Sequence, residues 1–442
     1  MSFYIVETPT QLQRLYPQES CYINVIPLSN NYHPILSEVS LIYYKPRFTK
    51  GIIFPINHSE GFSLDLQLVK DFILKHKEIK ILNKKQTVHL LGEEFLNEKV
   101  FDINLLSLSE SQTPPYIQDC DTNLHNQFYQ LYGDRENINS IIPISKHYET
   151  QEKIYQNVEK WVLKVSESNF YQNEYVKVFY DIEKQGIALD LPVFTENSNV
   201  KQPKFNIKDN KIYTQYNLYN FTSRPTNSFN GINFAALNKD NGFRAAFIPQ
   251  NDVLFEFDYE AYHPRILAKL IGYEFKEASV HTHLGKMYFK TEDLTPEQYQ
   301  QSKELTFKQL YGGVFQQYKN IPFFVMVKNY TDKILEEYNE NNKLDLIGGR
   351  SIFNIENVTP QKLLNYVIQS GETFYNVGSI LLLQKYLANK KSSVILYTYD
   401  SVLIDYNRDD GKETLIKIKQ LLESSFGFKV KVKYGTNYDN LK

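Results

Sequence analysis

The sequence has few cysteines, one tryptophan and no long apolar run. Two cysteines among 442 residues, Cys21 and Cys120, cannot build a disulfide framework, which favours a reducing compartment. The most apolar stretch, around residues 380–383, is far shorter than the roughly 20 residues that a membrane helix needs. The chain starts without a basic segment before an apolar core, so no secretory signal is expected. We therefore expect a cytoplasmic protein without a membrane partner.

A strong excess of either charge is also missing. Lysine and arginine total 49, aspartate and glutamate total 51, and the net charge is −2. A nucleic-acid partner therefore cannot be inferred from bulk charge and requires a local basic groove. The hydrophobic fraction of 42% excludes a disordered chain, and the length predicts two to four domains of roughly 150 residues.

Arginine is scarce, with eight residues against 41 lysines, as in a protein encoded by AT-rich DNA. Together with the reduced architecture described below, this composition suggests a bacteriophage source. Because an arginine offers a planar group with five donors, the few that remain are candidates for specific contacts. Four of them lie in the segments that carry the chemistry below: Arg224, Arg244, Arg265 and Arg350.

The N-terminal part of the sequence predicts strands followed by helices. Three short apolar runs predict strands at residues 21–26, 39–44 and 51–55. Helical periodicity follows at residues 65–76, and a long helical region covers residues 147–185.

Two polar stretches predict breaks in this pattern. Residues 109–115 end in two prolines, and residues 191–212 contain Pro192 and Pro203, so we expect a domain boundary and a loop or linker. From Lys211 onward strands and helices alternate irregularly, which indicates an α+β arrangement rather than regular βαβ winding.

An acid ends the apolar run at residues 253–257. Asp258 follows this predicted strand, and Pro264 then opens a predicted helix. A carboxylate at the end of a buried strand is costly unless its charge is compensated, for instance by a divalent cation. The motif alone is equally compatible with an ordinary turn acid.

A second acid lies between two apolar runs at residues 394–397 and 402–404. This pattern predicts a hairpin with Tyr399 and Asp400 at its turn. Aspartate is common in turns because it bonds to its own backbone, so a purely structural role stays open.

A well-delimited helix lies between the two acids. Thr295, Pro296 and Gln298 form a start signal, and Gly312–Gly313 marks the end. Within it Lys303, Phe307 and Tyr311 follow one another at a spacing of four and share a face. A cation followed by two aromatic rings suits an anionic tail attached to a flat ring. An aromatic core stripe with a lysine at its edge is the alternative.

Taken together, these three segments resemble the polymerase motifs of the family A DNA polymerases. Further matches follow in the same order. They are the Thr-Ser-Arg-Pro of residues 222–225 with residues 229–233, the Arg-x-x-Phe-x-Pro of residues 244–249, residues 280–282, 349–350 and 368–369, and the Gly-Thr-Asn-Tyr of residues 435–438. The resemblance covers residues 211–442, about half of the chain.

The resemblance implies phosphoryl transfer with two Mg²⁺ ions, for which Mn²⁺ can substitute. Asp258 and Asp400 would be catalytic and would bind the metal together with the backbone of Tyr259. The implied nucleotide-binding residues are Lys303, Phe307, Tyr311, His281 and His263. The implied DNA-binding residues are Arg224, Asn233, Gln369, Arg350, Arg265 and Tyr399. Partners would be primer-template DNA and deoxynucleoside triphosphates, with replication accessory proteins or a processivity factor in addition.

Three positions depart from the family pattern. His263 stands where the family has a Glu that blocks the ribose 2′-hydroxyl, which leaves sugar selectivity open. Ser401 replaces an accessory acid, and Tyr299 replaces a phosphate-binding Arg. Near the end, three lysines alternate with valines over residues 429–433, as in a phosphate-binding strand or a solvated edge strand.

Residues 19–108 resemble the 3′→5′ exonuclease domain of the same family. Asn24, Ile26 and Thr87 stand near the positions of its metal-binding acids, so we expect an inactive, vestigial domain. An unrelated α/β domain is the alternative. Residues 183–190 resemble the start of the thumb, and only about thirty residues separate them from residue 222, which predicts a reduced thumb.

The predicted fold is a multidomain α+β and α/β protein with a right-hand polymerase preceded by a ribonuclease H-like, exonuclease-type domain. The limits are 1–115 for the exonuclease-like domain, 116–210 for a helical connector and reduced thumb, 211–270 and 346–442 for the palm, and 271–345 for the fingers. Two other functions are alternatives to that of a DNA polymerase. A single-subunit RNA polymerase also ends its third motif in Asp-Ser, although Phe307 argues against it, and a non-catalytic DNA-binding replication subunit would explain the departures.

Overall fold

The computed structural model describes residues 3–47, 49–108, 118–164, 166–167, 169–197, 206–227, 231–239 and 241–442. The chain divides into two compact units. Within the described residues, the first unit comprises residues up to 219 together with 226–247, and the second comprises 220–225 and 248–442. The predicted boundary at residues 109–115, Pro203 and the motif residues 229–230 lie outside the described residues.

The first unit contains a six-stranded mixed sheet. Its strands are β1 (Tyr4–Ile5), β2 (Ser20–Pro27), β3 (Val39–Pro46), β4 (Ile52–Pro55), β5 (Glu78–Ile81) and β6 (Val100–Asp102), in the spatial order β1-β4-β3-β2-β5-β6. Strands β2, β3 and β4 pair antiparallel, whereas β5 is parallel to β2 and β6 is parallel to β5. The three strands predicted between residues 21 and 55 are confirmed. They are buried along most of their length, as the apolar runs require.

Nine helices of the described part of this unit accompany the sheet. They are α1 (Pro9–Gln13), α2 (Leu66–Ile73), α3 (Lys84–Leu91), α4 (Ile103–Ser107), α5 (Thr122–Tyr132), α6 (Ile138–Ile141), α7 (Ile144–Val162), α8 (Glu174–Gln185) and α9 (Leu191–Asn197). The helix predicted at residues 65–76 is confirmed as α2. The Asp65 carboxylate caps it by accepting from the backbone N–H of Gln67 at 2.8 Å.

The long helical region predicted over residues 147–185 is interrupted, because α7 ends at Val162 and α8 begins at Glu174. Between them the Asn169 side chain accepts a hydrogen bond from the Gln172 backbone at 3.1 Å. Such local bonds to the backbone compete with continued helix. The end at Gln185 is as predicted, with Gly186 in the left-handed region at φ +66°.

The loop predicted over residues 191–212 is also wrong in part. It contains α9, in which Pro192 occupies the first turn, where a missing N–H is tolerated. It also contains β8 (Ile207–Lys208) and β9 (Lys211–Ile212), which pair antiparallel. The two residues between these strands have positive φ, as a tight hairpin requires. Together with β7 (Ile187–Leu189) and β10 (Phe247–Ile248) they form a small sheet in the order β10-β7-β9-β8.

The second unit is built on a four-stranded antiparallel sheet. Its strands are β11 (Val253–Tyr259), β14 (Ser393–Tyr397), β15 (Ser401–Tyr406) and β16 (Val430–Gly435), in the order β14-β15-β11-β16. A two-stranded sheet of β12 (Lys343–Asp345) and β13 (Ser351–Phe353) is separate. The predicted strand at residues 253–257 and the hairpin around Asp400 are confirmed.

The helices of this unit are α10 (Tyr262–Ile271), α11 (Val280–Phe289), α12 (Pro296–Gly312), α13 (Pro322–Asn341), α14 (Pro360–Leu387) and α15 (Lys412–Ser424). The predicted start of α12 is confirmed, because the Thr295 hydroxyl accepts from the Gln298 N–H at 3.2 Å and the Gln298 carbonyl oxygen accepts from the Thr295 N–H at 3.0 Å. Buried residues of α10 to α14 form an apolar core that includes Leu267 and Ile368. In the described part of the chain, no helix combines the length and apolar character needed to span a membrane.

Candidate functional site

Two paired strands of the second unit bring the predicted acids together. Asp258 lies opposite Ser401 in the pairing of β11 with β15, and Asp400 directly precedes Ser401. The backbone N–H of Tyr259 donates to the carbonyl oxygen of Asp400 at 2.8 Å. Tyr399 has φ +65°, and this left-handed residue turns the chain into β15. Residues 142 positions apart in sequence therefore occupy neighbouring positions at one end of the sheet.

Burial and mutual repulsion act on both carboxyl groups. Burial raises the pKa of Asp258, the Lys433 ammonium opposes this rise, and the Glu256 carboxylate adds to it. Crowding by protein atoms, then the charges of Asp258 and Glu372, raise the pKa of Asp400 to about 6. The Asp400 residue is exposed by surface area. Because solvent limits the effect of burial at an exposed residue, the like charges of Asp258 and Glu372 act most strongly on its pKa.

Two charged residues beside Asp258 were not assigned from the sequence. The Lys433 ammonium on β16 lies 3.0 Å from Glu256 Oε2 and 3.3 Å from Asp258 Oδ2. Glu256 is 8% exposed and precedes Asp258 by two residues, so both side chains leave β11 on the same face. That spacing is the signal that could have identified Glu256. The predicted lysine row thus includes at least one residue that pairs with carboxylates.

The site offers oxygen ligands suited to a hard divalent cation. Asp258 and Asp400 supply carboxylates, and the Tyr259 backbone supplies a carbonyl, which are the donor types that Mg²⁺ prefers. Such a cation would also offset the repulsion that raises the pKa of Asp400. The Ser401 hydroxyl is 2.6 Å from the Thr398 hydroxyl and 3.4 Å from Glu256 Oε1. Ser401 thus stands where the resemblance requires an accessory carboxylate, and the Glu256 carboxylate lies next to it.

On helix α12, Lys303 and Phe307 lie outside the apolar core, whereas Tyr311 is half-buried and packs against its edge. The buried residues of this helix are Ser302, Thr306, Gln309 and Leu310. Phe307 is 41% exposed, and its ring lies parallel to that of Tyr311 with centroids 6.2 Å apart. The Lys303 ammonium lies 4.7 Å from the centroid of the Tyr299 ring. The stripe is thus not the buried face of the helix, and Tyr299, in place of an arginine, supports the lysine through a cation–π contact.

His281 lies beside this helix in the first turn of α11. Its ring is 6.2 Å from the rings of both Tyr299 and Phe307, and the residue is buried. Burial, followed by the Lys303 charge, lowers the pKa of His281 to about 4. The imidazole is therefore neutral at pH 7 and can donate or accept a hydrogen bond without adding charge.

Arg224 and His263 meet at a buried glutamate that sequence analysis left without a role. Glu372 on α14 has no exposed surface and lies 2.9 Å from Arg224 Nε and 3.3 Å from His263 Nε2. His263 Nδ1 is hydrogen-bonded to the Tyr311 hydroxyl. Glu372 follows Gln369 by one helical turn, so the sequence places the two on one face of a helix. The two partners of Glu372 are distant in sequence and could not be predicted.

The other predicted DNA-binding residues have different surroundings. Arg265 donates to Glu260 Oε2 at 2.7 Å and to the Ala278 carbonyl oxygen at 2.8 Å. Arg350 is buried and donates to the carbonyl oxygen of Phe221. Gln369 is half-buried on α14, and Asn233 is exposed and belongs to the first unit. Arg265 and Arg350 thus have structural partners, and DNA contacts by these four residues stay predictions.

In the first unit, an amide pair occupies the position where the exonuclease resemblance requires acids. Asn24 Nδ2 donates to Gln151 Oε1 at 2.8 Å and to the Asp119 carbonyl oxygen at 3.3 Å. Ile26 and Thr87 are buried. Asp102 accepts from the backbone N–H groups of Lys84 and Leu105 and from the Tyr219 hydroxyl. Its oxygens are therefore engaged in capping and loop contacts.

A cluster of potential metal ligands in the same unit is internally satisfied. His33, His89 and Glu183 place ligand atoms within 4.8 Å of one another. The Glu183 carboxylate, however, accepts hydrogen bonds from the Lys85 ammonium and the Tyr216 backbone. His33 Nε2 lies 3.0 Å from the carbonyl oxygen of Thr214 and therefore donates to it. Burial raises the pKa of Glu183, but Lys85 and the two histidines lower it to about 2. The cluster is thus a buried ionic network.

Comparison with known proteins gives one result in sequence and one in structure. No family model matches the chain. Over 239 residues the chain is 25% identical to DNA polymerase I of Lactococcus lactis subsp. lactis (strain IL1403). The match covers 46% of this chain and 27% of that protein, so the chain spans about a quarter of its length. The fold is similar to the POL domain of Pol1 from M. smegmatis, solved in complex with DNA primer-template and dNTP. That comparison has a TM-score of 0.66 and 13% identity, and covers 96% of this chain and 99% of the other. The chain has the fold of this polymerase domain, and the two comparisons confirm its resemblance to the family A DNA polymerases.

Proposed function

We propose that this protein is a template-directed DNA polymerase that adds deoxynucleotides to a primer 3′-hydroxyl. The observation that carries the proposal is the convergence of Asp258 and Asp400 at the end of β11 and β15. The helix face of Lys303, Phe307 and Tyr311 on α12 belongs to the same unit. Similarity to DNA polymerase I and to a polymerase domain solved with primer-template and dNTP supports this assignment.

Each residue then has a defined task in phosphoryl transfer. Asp258 and Asp400 would hold two Mg²⁺ ions, which when bound activate the primer hydroxyl and stabilise the leaving pyrophosphate. Lys303 would neutralise the triphosphate, and His281, uncharged at pH 7, would donate a hydrogen bond to it. Phe307 would pack against the sugar and base, and Tyr311 against the new base pair.

For the domains we propose a palm formed by the sheet of β14, β15, β11 and β16, fingers formed by α11 to α13, and a reduced thumb. We further propose that the first unit is a vestigial exonuclease domain, so that the protein does not proofread. The hydrogen bond between Asn24 and Gln151 supports this assignment, because two amides cannot replace the charged ligands of a Mg²⁺ site.

Primer extension in the presence of Mg²⁺ tests the proposal. We expect the wild-type protein to extend a primer and Asp400→Asn to lose at least 100-fold in rate, which is on the order of the loss of one charged group from a catalytic metal site. Asp332→Asn is the matched control, because Asp332 is an exposed aspartate of α13 whose partner is Lys328. Equal activity of the Asp400 variant and the wild type would contradict the proposal.

Two further readouts use the same assay. Parallel reactions with deoxynucleotides and with ribonucleotides distinguish a DNA polymerase from a single-subunit RNA polymerase. A mismatched primer end incubated without nucleotides should stay intact. Trimming of that end would contradict the inactive exonuclease but not the polymerase.

A further inference from the structure

The Glu372 carboxylate on α14 contacts both Arg224 and His263. In the proposed function, Arg224 binds primer-template DNA and His263 binds the nucleotide. Glu372 Oε1 lies 3.3 Å from His263 Nε2 and accepts a hydrogen bond from Arg224 Nη2 at 3.4 Å. Glu372 Oε2 lies 2.9 Å from Arg224 Nε. Because the glutamate has no exposed surface, these cationic and polar groups compensate its charge. Arg224 and His263 therefore share one oxygen atom of the same carboxylate.

The surrounding backbone fixes Arg224 on this side of α14. The Arg224 guanidinium lies 3.7 Å from the centroid of the Tyr399 ring. One turn beyond Glu372, Asn376 donates to the Tyr399 carbonyl oxygen at 2.6 Å. Ser223 and Tyr399 have φ of +63° and +65°, values that residues other than glycine keep only where their surroundings enforce them. The segment that carries Arg224 and the turn that carries Asp400 are thus held against the same helix.

His263 extends the contact to helix α12. His263 Nε2 lies 3.3 Å from Glu372 Oε1, and its Nδ1 is hydrogen-bonded to the Tyr311 hydroxyl. Burial and the Glu372 charge raise the pKa of Tyr311, so this hydroxyl keeps its hydrogen. The contacts therefore form a continuous chain from Tyr311 through His263 to Glu372.

We propose that Glu372 is a positioning residue that couples the binding of primer-template DNA to the binding of the nucleotide. The inference rests on the proposed function, in which Arg224 contacts the primer end while His263 and Tyr311 contact the nucleotide. When the primer end holds the Arg224 guanidinium in place, Arg224 fixes the position of the Glu372 carboxylate, which in turn fixes the His263 ring. The His263–Tyr311 pair is then held in place, so a correctly placed primer end favours nucleotide binding.

The test compares the effect of one substitution in two backgrounds. Nucleotide KM is measured at saturating primer-template for Arg224→Ala alone and for Arg224→Ala combined with Glu372→Gln. We expect Arg224→Ala to raise KM about fivefold when Glu372 is present and less than about twofold in the Gln background, because the connecting charge is absent. Glu372→Gln by itself should raise the nucleotide KM and the primer-template Kd more than it lowers kcat.

The control is Glu336→Gln, an exposed glutamate on α13, which should leave all three constants unchanged. Equal factors for Arg224→Ala in both backgrounds would overturn the coupling. A Glu372→Gln enzyme that loses only kcat, or only thermal stability, would overturn the positioning role.

A second cycle leaves Glu372 in place and applies if Glu372→Gln does not fold. This cycle compares the factors by which each substitution raises the nucleotide KM over that of the wild type. The factor for the Arg224→Ala, His263→Ala double variant should be about fivefold smaller than the product of the factors for the two single variants. A full product would overturn the proposal. Absence of extension by the wild-type protein would contradict the proposed function itself, whereas extension with multiplicative effects contradicts the coupling alone.

Discussion

At the residue scale, the acidic end of the sheet formed by β11, β14, β15 and β16 contains its own counter-charge. Lys433 lies opposite Glu256 in the pairing of β11 with β16, and its ammonium contacts both Glu256 and Asp258. Without this contact two carboxylates on one strand face would repel each other. The lysine therefore stabilises the acids of the site in the absence of a divalent cation.

Replacement of Lys433 by Met should lower the free energy of unfolding in EDTA by about 1 kcal/mol, a value typical of a partly exposed ion pair. Added Mg²⁺ should restore part of this loss, because a divalent cation at Asp258 compensates the same charges. Urea unfolding with EDTA and with Mg²⁺ measures both effects. Lys431→Met is the control, since Lys431 is an exposed residue opposite Asp258 on the same strand. An equal loss in both variants would mean that general charge, not the contact, matters.

Several residues of the site could be predicted because local pattern determines them. Asp258 and Asp400 each end an apolar strand, and the face of α12 follows from a spacing of four. Glu256, Glu372 and Lys433 could not be assigned in this way. Their partners are distant in sequence, and only the register of β11 with β16 and the packing of α14 bring them together.

At the element scale, local signals predicted where helices begin better than where they are interrupted. The cap Thr295 starts α12 as expected, and Thr359 caps α14 in the same way. At the break between α7 and α8, the Asn169 side chain accepts a hydrogen bond from a nearby backbone N–H group. At the start of α9, the Asp190 side chain does the same. Such bonds compete with helix in the first case and start it in the second, and composition alone does not distinguish them.

Helix α14 is closely packed at Gly371, next to Glu372. A Cβ added to Gly371 would lie 2.6 Å from Ile347 Cδ1 and 3.3 Å from Ile266 Cγ2. Gly371→Ala should therefore destabilise the protein by about 1–2 kcal/mol, since overpacking exceeds the gain in helix propensity.

Gly312, at the end of α12, is the matched control for this substitution. A Cβ there would have no atom within 4 Å, so Gly312→Ala should be neutral or stabilising by up to about 1 kcal/mol. Urea unfolding of both variants gives the comparison. A loss of the same size at both positions would contradict the packing argument.

At the scale of the whole molecule, the two units differ in their titratable groups. Six of the nine histidines lie in the first unit, and burial lowers the pKa of each of them. The second unit contains two such histidines, His281 and His283, and in it the pKa values of Asp258 and Asp400 are raised. The single tryptophan, Trp161, is buried in the first unit, so its fluorescence reports on that unit.

The first unit should lose stability as the pH falls below about 6.5. Burial lowers the pKa of His33 and His147 to about 3, so between pH 6.5 and 3 the unfolded chain binds more protons than the folded one. The contribution of the two neutral histidines to the free energy of unfolding is fully present above pH 6.5. Below that pH it falls by about 1.4 kcal/mol per pH unit for each histidine. Asp102, whose pKa burial raises to about 6, offsets part of this loss. Urea unfolding followed by Trp161 fluorescence from pH 7 to pH 4 measures the slope.

His147→Gln should reduce the slope by about 1.4 kcal/mol per pH unit, because glutamine does not titrate. Glu149→Gln, an exposed residue of the same helix, should not change it. An unchanged slope in the His147 variant would show that this buried imidazole does not link folding of the first unit to pH.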